Sequence, residues 1–507
     1  MDQQAYEMLV WSLEGEARDR PALFRAKVVA ISAFAYLVLF GLLGALSLGG
    51  FWLFSWARDS HSLRVIVALA VLGLALLPVM LLTLRMFLTR IPPPEGRVLT
   101  ASEAPKLFQF LAKLQKKLKG PPIHRVLISG DFNASISQVP RFGLFGGHRN
   151  YLLLGLPFLH AMASREMMAV ISHEYGHLAG SHGKLSAMIY RQRLTFGAIH
   201  QHASARRDSG DIVNGIFASL LDRFAPIYNA YTFVLSRQNE YEADAAACRV
   251  AGPQASAHGL IRSALLADWL SEQFWPRLFA QASQRAQPAF MPYTAMRKVV
   301  GATMSEWATK ERLQAAWNQD SGLHDTHPCL RERLNAIDQP ASLPPAVDGS
   351  AGDAMLGELA HSLSREFDER WWQANKADWQ EHHRRHQRAH NRIAELAARP
   401  VDTLTAGELQ EYALLHSEFG SKDAARAALR HLLDRPGERF ARPVMLYGQL
   451  LLEVDDAQGI DYLMQACQLA PSLWQDCAQI GGSWLFAHKG EQAAEQWFEL
   501  LHAKFAS

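Results

Sequence analysis

Two long apolar runs near the N-terminus most constrain how this chain can fold. Residues 28–57 and residues 65–84 contain no charged side chain. A helix of about 20 apolar residues spans the hydrocarbon core of a bilayer. A signal peptide would have a shorter apolar stretch, of about 7–15 residues, that ends at a small-residue cleavage site. The two runs therefore predict a two-span transmembrane hairpin.

The basic residues around these runs indicate an orientation, because positive charge concentrates on the cytoplasmic side of a membrane. More of them flank the runs than occupy the loop between. The basic residues before the first run are Arg18, Arg20, Arg25 and Lys27. Those after the second run are Arg85, Arg90 and Arg97, and those in the loop are Arg58 and Arg64. We expect an integral protein of a bacterial inner membrane, with the lipid bilayer as a partner and both long flanks in the cytoplasm.

Length and composition bound the remaining possibilities. The chain has 507 residues, more than one domain usually contains. Its apolar share of 49% supports packed cores and excludes wholesale disorder. A net charge of +2 argues against a nucleic-acid partner. The four cysteines form no CxxC pair, which fits a reducing compartment better than a disulfide scaffold.

Proline-rich segments divide the chain. "IPPPEGR" at 91–97 is a stiff linker, and "SLPPAVDGSAGD" at 342–353 is a loop that marks the clearest domain boundary. We predict four parts: an N-terminal segment with the hairpin (1–99), a domain over 100–345, a charged helical linker (346–402) and helical repeats (403–507).

Local patterns predict a mainly α-helical protein with a small β-sheet. "HRVLISG", from His124, and "NYLLLGL", from Asn150, are typical of short buried strands. A helix begins near Ser164, whose side chain can cap it, and another ends at Gly252. Between them, 212–235 predicts a partly buried helix, with a third membrane span as the less favoured alternative.

The C-terminal part has a repeating pattern of helix, polar turn and helix. The turn positions Gly420, Asp455 and Gly490 are 35 residues apart, close to the period of about 34 of tetratricopeptide repeats. Small residues follow each turn, where paired helices approach closely: Ala424, Gly459 and Ala494. The pattern predicts tetratricopeptide-like repeats that bind substrate or an adaptor; an ordinary helical bundle is the alternative.

The segment "HEYGH" carries the clearest chemical signal. His173 and His177 are four residues apart and lie on one face of a helix. Both can direct a ring nitrogen at one zinc ion, and hydrolytic zinc sites use three protein ligands and an open position for water. Zinc lowers the pKa of a bound water to about 7. Glu174, one position round the helix, can take the proton of that water.

A third ligand is available in "SRQNEYEADAAAC". Glu240 and Asp244 share a helix face, and the small residues Ala243 and Ala247 beside it permit close packing on the helix of the two histidines. Glu240 then reaches the ion, and Asp244 accepts a hydrogen bond from a ligand histidine. The alternative is a solvated charged face, the usual place of such residues.

Other histidines fit structural roles better. His182 lies five residues past His177, off the ligand face, and is expected to cap the helix or lie at the surface. His382, His386 and His390 share a face, but arginines surround them and no acidic ligand is near. They predict a solvated basic helix.

Three elements in order carry a resemblance: "HEYGH", "SRQNEYEAD" and "THPCLRERL". Together they resemble the zinc metalloendopeptidases of peptidase family M48. The resemblance implies a gluzincin-type protease domain, with one zinc per chain bound by His173, His177 and Glu240. It also implies that His327 stabilises the oxyanion. Cys329 stands where the family usually has proline.

The resemblance implies further site residues. Arg333 matches the arginine of the third element and, with Asp244, lies behind the ligands. Asn133 and Ala134 resemble the family's substrate-side pair, but Ser135 replaces the phenylalanine that usually follows, so the strand register stays open. The substrate would lie extended along a sheet edge, for which "NYLLLGL" is the candidate.

The function expected is a membrane-anchored zinc metalloendopeptidase, with its catalytic domain in the cytoplasm, that cleaves protein or peptide substrates. Quality control of membrane proteins is the favoured role. The alternatives are a processing protease of the prenyl-protein type and a scaffold with a vestigial zinc site.

Overall fold

The protein is described here by a computed structural model. It describes residues 3–59, 62–68, 70–71, 92–140, 148–179, 189, 212–322, 325, 327–437 and 439–505. The chain divides into two compact units, the first made of Met1–Arg277 and Phe290–Trp372 and the second of Leu278–Ala289 and Gln373–Ser507. The prediction of a mainly helical protein with a small sheet is confirmed. The four predicted domain ranges stay predictions.

The helices and strands account for most of the described chain. The first unit has α1 Gln3–Asp19, α2 Pro21–Asp59, β1 Arg97–Leu99, α3 Pro105–Leu118, β2 Arg125–Ser129, β3 Ala134–Pro140, β4 His148–Gly155, α4 Leu156–Ala161, α5 Ser164–Ala179, α6 Ile212–Ala251, α7 Pro253–Trp269, α9 Pro292–Trp307, α10 Lys310–Asn318, α11 Leu330–Ala336 and α12 Ala351–Leu356. α8 Trp275–Ala280 begins in the first unit and ends in the second. A long helix, α13 Glu358–Ala397, begins in the first unit and ends in the second, where α14 Ala406–Phe419, α15 Lys422–Asp434, α16 Ala441–Leu452, α17 Gln458–Leu469, α18 Trp474–Lys489 and α19 Glu491–Phe505 follow.

The sheet has the strand order β1-β2-β4-β3. β2 and β4 are parallel, and the outer strands are antiparallel to their neighbours. Both predicted strands are present, but "NYLLLGL" is part of the internal strand β4, so its prediction as the sheet edge is wrong. A nearly continuous apolar run such as Tyr151–Leu154 is what an internal strand needs, because both of its faces are covered. The edge strand next to β4 is β3, where Ser135 pairs with Leu153 and settles the register.

One apolar core joins the sheet to α3 and α5. Leu107 and Leu111 of α3, Ile128 of β2, Leu152 of β4 and Ile171 of α5 belong to it. Residues 351–367 add more side chains to the same core, among them Ala351 and Leu363. The buried face of α5 therefore rests on this core, which fixes the helix that carries "HEYGH".

The helix α6 is longer than the sequence patterns predict. One helix of 40 residues covers Ile212–Ala251 and continues through Pro226. Tyr228, Phe233 and Val234, beyond the proline, are buried in a core shared with α1 and α2. This packing offsets the local cost of a proline inside a helix, and the helix predicted over 212–235 is continuous with the one predicted to end at Gly252.

The predicted transmembrane hairpin is wrong. Among the residues that the structure describes, no helix combines the length and the apolar character needed to cross a membrane. The first run, 28–57, is part of α2, whose Phe24 and Val28 pack in the core shared with α1 and α6. Of the second run, 72–84 lies outside the described residues.

The location predicted from the hairpin is wrong with it, and the predicted lipid partner loses its support. An integral protein of a bacterial inner membrane needs a spanning helix, and the described residues contain none. The predicted cytoplasmic orientation applies only to the flanks of two membrane spans. It therefore has no remaining basis.

In the second unit, successive helices pack on one another around small apolar cores. The predicted turn residues Asp455 and Gly490 have left-handed backbone, with φ of 59° and 86°. Gly459 faces Gly448 so closely that an added Cβ would lie 2.4 Å from the carbonyl oxygen of Gly448. The close approach is what the small residues predict; the tetratricopeptide-like character stays a prediction.

Candidate metal centre

The "HEYGH" residues occupy the last two turns of α5. His173, Glu174 and His177 lie where α5 crosses α6, and Gly176 is at the crossing. A Cβ at Gly176 would lie 3.0 Å from Ala243 Cα and 3.1 Å from Ala246 Cβ. The absence of a side chain at Gly176 therefore lets the two helix backbones approach closely.

The facing side of α6 carries Glu240 and Asp244. Glu240 is 5% exposed and Asp244 is 2% exposed. Ala243 and Ala247 are also buried, as their predicted place at the helix contact requires. The alternative of a solvated charged face is thereby excluded, and two buried carboxylates need partners.

His173, His177 and Glu240 direct their ligand atoms at one point. The two Nε2 atoms are 3.2 Å apart. His177 Nε2 lies 3.3 Å from Glu240 Oε1, and His173 Nε2 lies 3.5 Å from Glu240 Oε2. A tetrahedral ion with bonds of about 2.0–2.1 Å has ligand atoms about 3.3 Å apart. In the described part of the chain, these three residues are the group of histidine, cysteine and carboxylate side chains close enough to hold a metal.

Glu240 supplies a second sign that the set fits a cation. Its Oε2 atom is buried and accepts no hydrogen bond of acceptable geometry. Two imidazole nitrogens and one carboxylate are also a donor set that zinc commonly takes.

Behind the ligands, Asp244 and Arg333 hold His173. Asp244 Oδ1 accepts a hydrogen bond of 2.9 Å from His173 Nδ1. The guanidinium of Arg333 donates to both oxygens of Asp244, at 2.6 and 2.9 Å. A proton on Nδ1 leaves Nε2 of the neutral ring as a lone-pair donor, so this contact fixes the tautomer that a metal ligand needs.

His327 lies on the solvent side of the same cluster. Its Nδ1 is 3.0 Å from Glu240 Oε2, while its side chain is 73% exposed. The residues that follow begin α11, which carries Arg333. One short segment thus brings both His327 and Arg333 to the cluster.

The surroundings shift the pKa values of these groups. Burial acts to raise the pKa of Glu240, but the close rings of His173, His177 and His327 hold it far below its usual value. Burial acts to lower the pKa of His173, but Asp244 and Glu240 raise it to about 9. Burial raises the pKa of Glu174, which makes this carboxylate a better proton acceptor.

A cleft of about 720 Å³ opens over the candidate ligands His173 and His177, beside Glu174. Asn133 and Ala134, at the start of the edge strand β3, line one side of it. The carbonyl oxygen of Asn133 already accepts a hydrogen bond of 2.7 Å from the amide of Gly155. The predicted substrate-side pair and the two candidate histidine ligands therefore line a common space.

Sequence reasoning missed the far wall of the cleft. It is formed by small and apolar residues of α7: Ser256, Gly259, Leu260, Ser263, Ala264 and Ala267. α7 is held on α5 by the buried pair of Arg262 and Glu166, at 2.7 and 3.0 Å. The small residues at helical spacing were the available signal, but nothing local connects them with α5.

The remaining histidines lie apart from this centre. His182 lies outside the described residues. On α13, the ring centroids are 4.5 Å apart for His382 and His386 and 6.3 Å apart for His386 and His390. His382 and His390 are exposed, as expected of a solvated helix.

Comparison with known proteins supports one family. Residues 143–341 match the model of peptidase family M48. No curated protein matches the chain. The M48 match covers the metal-ligand candidates and the segment of His327 and Arg333, whereas Asn133 and Ala134 precede it. It supports an M48 metallopeptidase, with a hydrolase activity that depends on a metal and acts on peptide or protein substrates.

Proposed function

We propose that this chain is a zinc-dependent M48 metalloendopeptidase that binds one zinc ion through His173, His177 and Glu240. The observation that carries the proposal is the meeting of two Nε2 atoms and one carboxylate at 3.2–3.5 Å, next to the half-buried Glu174. When bound, zinc supplies a Lewis acid that polarises a carbonyl and acidifies water. The scaffold alternative is weaker, because a vestigial site has no need of Glu174.

Glu174 is proposed as the general base. Its raised pKa favours taking a proton from the attacking water and returning it to the leaving amine. It follows His173 on α5 and lines the cleft, so it reaches the reacting water without joining the ligand set.

His327 is proposed to donate a hydrogen bond to the oxyanion that forms on the peptide carbonyl. Its exposed ring borders the cleft beside Glu240. Arg333 and Asp244 are proposed to orient His173 and to balance the charge of the buried carboxylates.

Substrate is proposed to add as an extended strand along β3, with Asn133 and Ala134 at the cleft. The exposed edge of a sheet offers unpaired backbone groups for such an addition. This assigns the edge role to β3 and withdraws it from "NYLLLGL".

The helices over 403–507 are proposed to be tetratricopeptide-like and to recruit substrate or an adaptor. Stacked helical repeats form extended surfaces of this kind. Quality control of membrane proteins was inferred from the hairpin and loses that support, and a prenyl-protein processing role has no observation in its favour.

The test replaces Glu174 with Gln. The variant should keep zinc, because the ligands are intact, and lose hydrolysis of an unstructured peptide by at least about 100-fold, because the base is gone. Glu242→Gln, on the exposed side of α6, is the control and should keep full activity. Normal turnover by Glu174→Gln would contradict the proposal.

A further inference from the structure

Arg237 lies at the centre of an ion network beside the metal centre. It is one turn before Glu240 on α6 and only 9% exposed. Its guanidinium lies 3.4 Å from Glu14 Oε1 of α1 and forms a short ion pair with Glu332 Oε2 of α11. One buried arginine thus joins three helices that are distant in sequence.

The network continues to the segment that carries His327. Ser321 Oγ donates to Glu332 Oε2 at 3.1 Å and accepts a hydrogen bond of 2.7 Å from the backbone amide of Cys329. Glu332 precedes Arg333, which holds Asp244. The segment 327–333 is therefore attached on one side to Asp244 and on the other to Arg237.

A network of this kind costs desolvation and is poor evidence for stability alone. The network instead fixes the positions of the groups that it joins, because an arginine between two carboxylates restricts where each carboxylate can lie. The side chain of His327 is 73% exposed, and its contact of 3.0 Å with Glu240 Oε2 supports only one atom of the ring. The position of its ring depends on the backbone of 327–333.

We propose that Arg237, with Glu14 and Glu332, is a positioning residue that holds segment 327–333 so that His327 and Arg333 face the metal ligands. The proposal rests on the peptidase function proposed above. It assigns a role in turnover to α1, which lies outside the residues that match the M48 model.

The test uses the full chain with Arg237→Gln, Glu14→Gln, their double variant and Arg237→Lys. A misplacement of about 1 Å can cost about 100-fold in rate, so we expect Arg237→Gln to lower kcat about 10- to 100-fold. KM for a short peptide and zinc content should stay near the wild-type values. Arg237→Lys should restore part of kcat, and the double variant should be no slower than Arg237→Gln alone.

Hydrogen exchange gives a readout that needs no peptidase activity. Peptides covering 327–333 should exchange about 10-fold faster in Arg237→Gln and Glu14→Gln. The control is Glu242→Gln, which breaks the exposed pair of Arg25 and Glu242 that joins α2 to the same helix α6. It should leave both kcat and exchange of 327–333 unchanged.

Wild-type kcat and wild-type exchange in Arg237→Gln would overturn the proposal. So would a fall of kcat in proportion to lost zinc, since Arg237 would then act by holding Glu240. If the wild-type chain cleaves no peptide, the peptidase function fails, and the exchange of 327–333 alone decides the positioning role.

Discussion

Replacing Gly176 with Ala should weaken the metal centre without touching a ligand. The added Cβ would lie 3.0 Å from Ala243 Cα, whereas carbon atoms pack at about 3.5–4.0 Å. The helices α5 and α6 must therefore separate by about 0.5–1 Å at this point. Glu240 is one turn from Ala243 on α6, so the separation moves it away from His173 and His177.

The size of this shift sets the expected effect. Zinc sites tolerate ligand displacements of about 0.2 Å, so we expect zinc affinity to fall at least about 10-fold. Overpacking costs about 1–3 kcal/mol, and the better helix propensity of alanine returns about 1 kcal/mol. The metal-free variant should then be destabilised by about 0–2 kcal/mol.

Zinc affinity is measured by competition with a chromogenic chelator, and stability by urea unfolding of the metal-free protein. Gly259→Ala is the matched control, because Gly259 lies within α7 and its added Cβ would meet the Glu166 carbonyl oxygen at an ordinary 3.5 Å. That variant should bind zinc normally. Wild-type zinc affinity in Gly176→Ala would refute the account of the helix crossing.

Three further predictions follow from buried contacts. Asp244→Asn should weaken zinc binding about 10- to 100-fold, measured by the same competition, because it disturbs the tautomer of His173. Arg262→Met should destabilise the protein to urea by about 3–5 kcal/mol, since it leaves the buried Glu166 carboxylate unpaired; adding Glu166→Gln should recover part of this loss. Burial, with the charge of Arg297 adding to it, lowers the pKa of His160 to about 4 from 6.5. The unfolded chain therefore binds the extra proton, and stability should fall by about 3 kcal/mol between pH 6.5 and 4, a loss absent from His160→Asn in urea unfolding of the metal-free proteins.

Much of the site could be predicted from local spacing. The four-residue interval of His173 and His177, and that of Glu240 and Asp244, placed each pair on one helix face, where both are found. The crossing of α5 and α6 at these pairs is predicted only by the small residues Ala243 and Ala247. The sequence prediction does not use Gly176, the glycine at the crossing. The need for a glycine there comes from Ala243, which is far along the chain.

The errors have a common physical cause. The helices predicted over 212–235 and up to Gly252 form one helix, because Tyr228 packs with Val28 in one core, a tertiary contact that local composition does not show. Local patterns do not predict strand β3, whose pairing with β4 makes β4 an internal strand. Ion pairs such as Arg237 with Glu14 leave no local signal, because either residue alone resembles a solvated charge.

The zinc content of the purified protein tests the central claim most directly. We expect one zinc per wild-type chain by mass spectrometry of the metal after dialysis, and about a tenth of that or less in Glu240→Ala, which should remain folded by circular dichroism. The exposed Glu242→Ala is the matched control and should keep one zinc. A full zinc content in folded Glu240→Ala would contradict the assignment of His173, His177 and Glu240 as the metal centre.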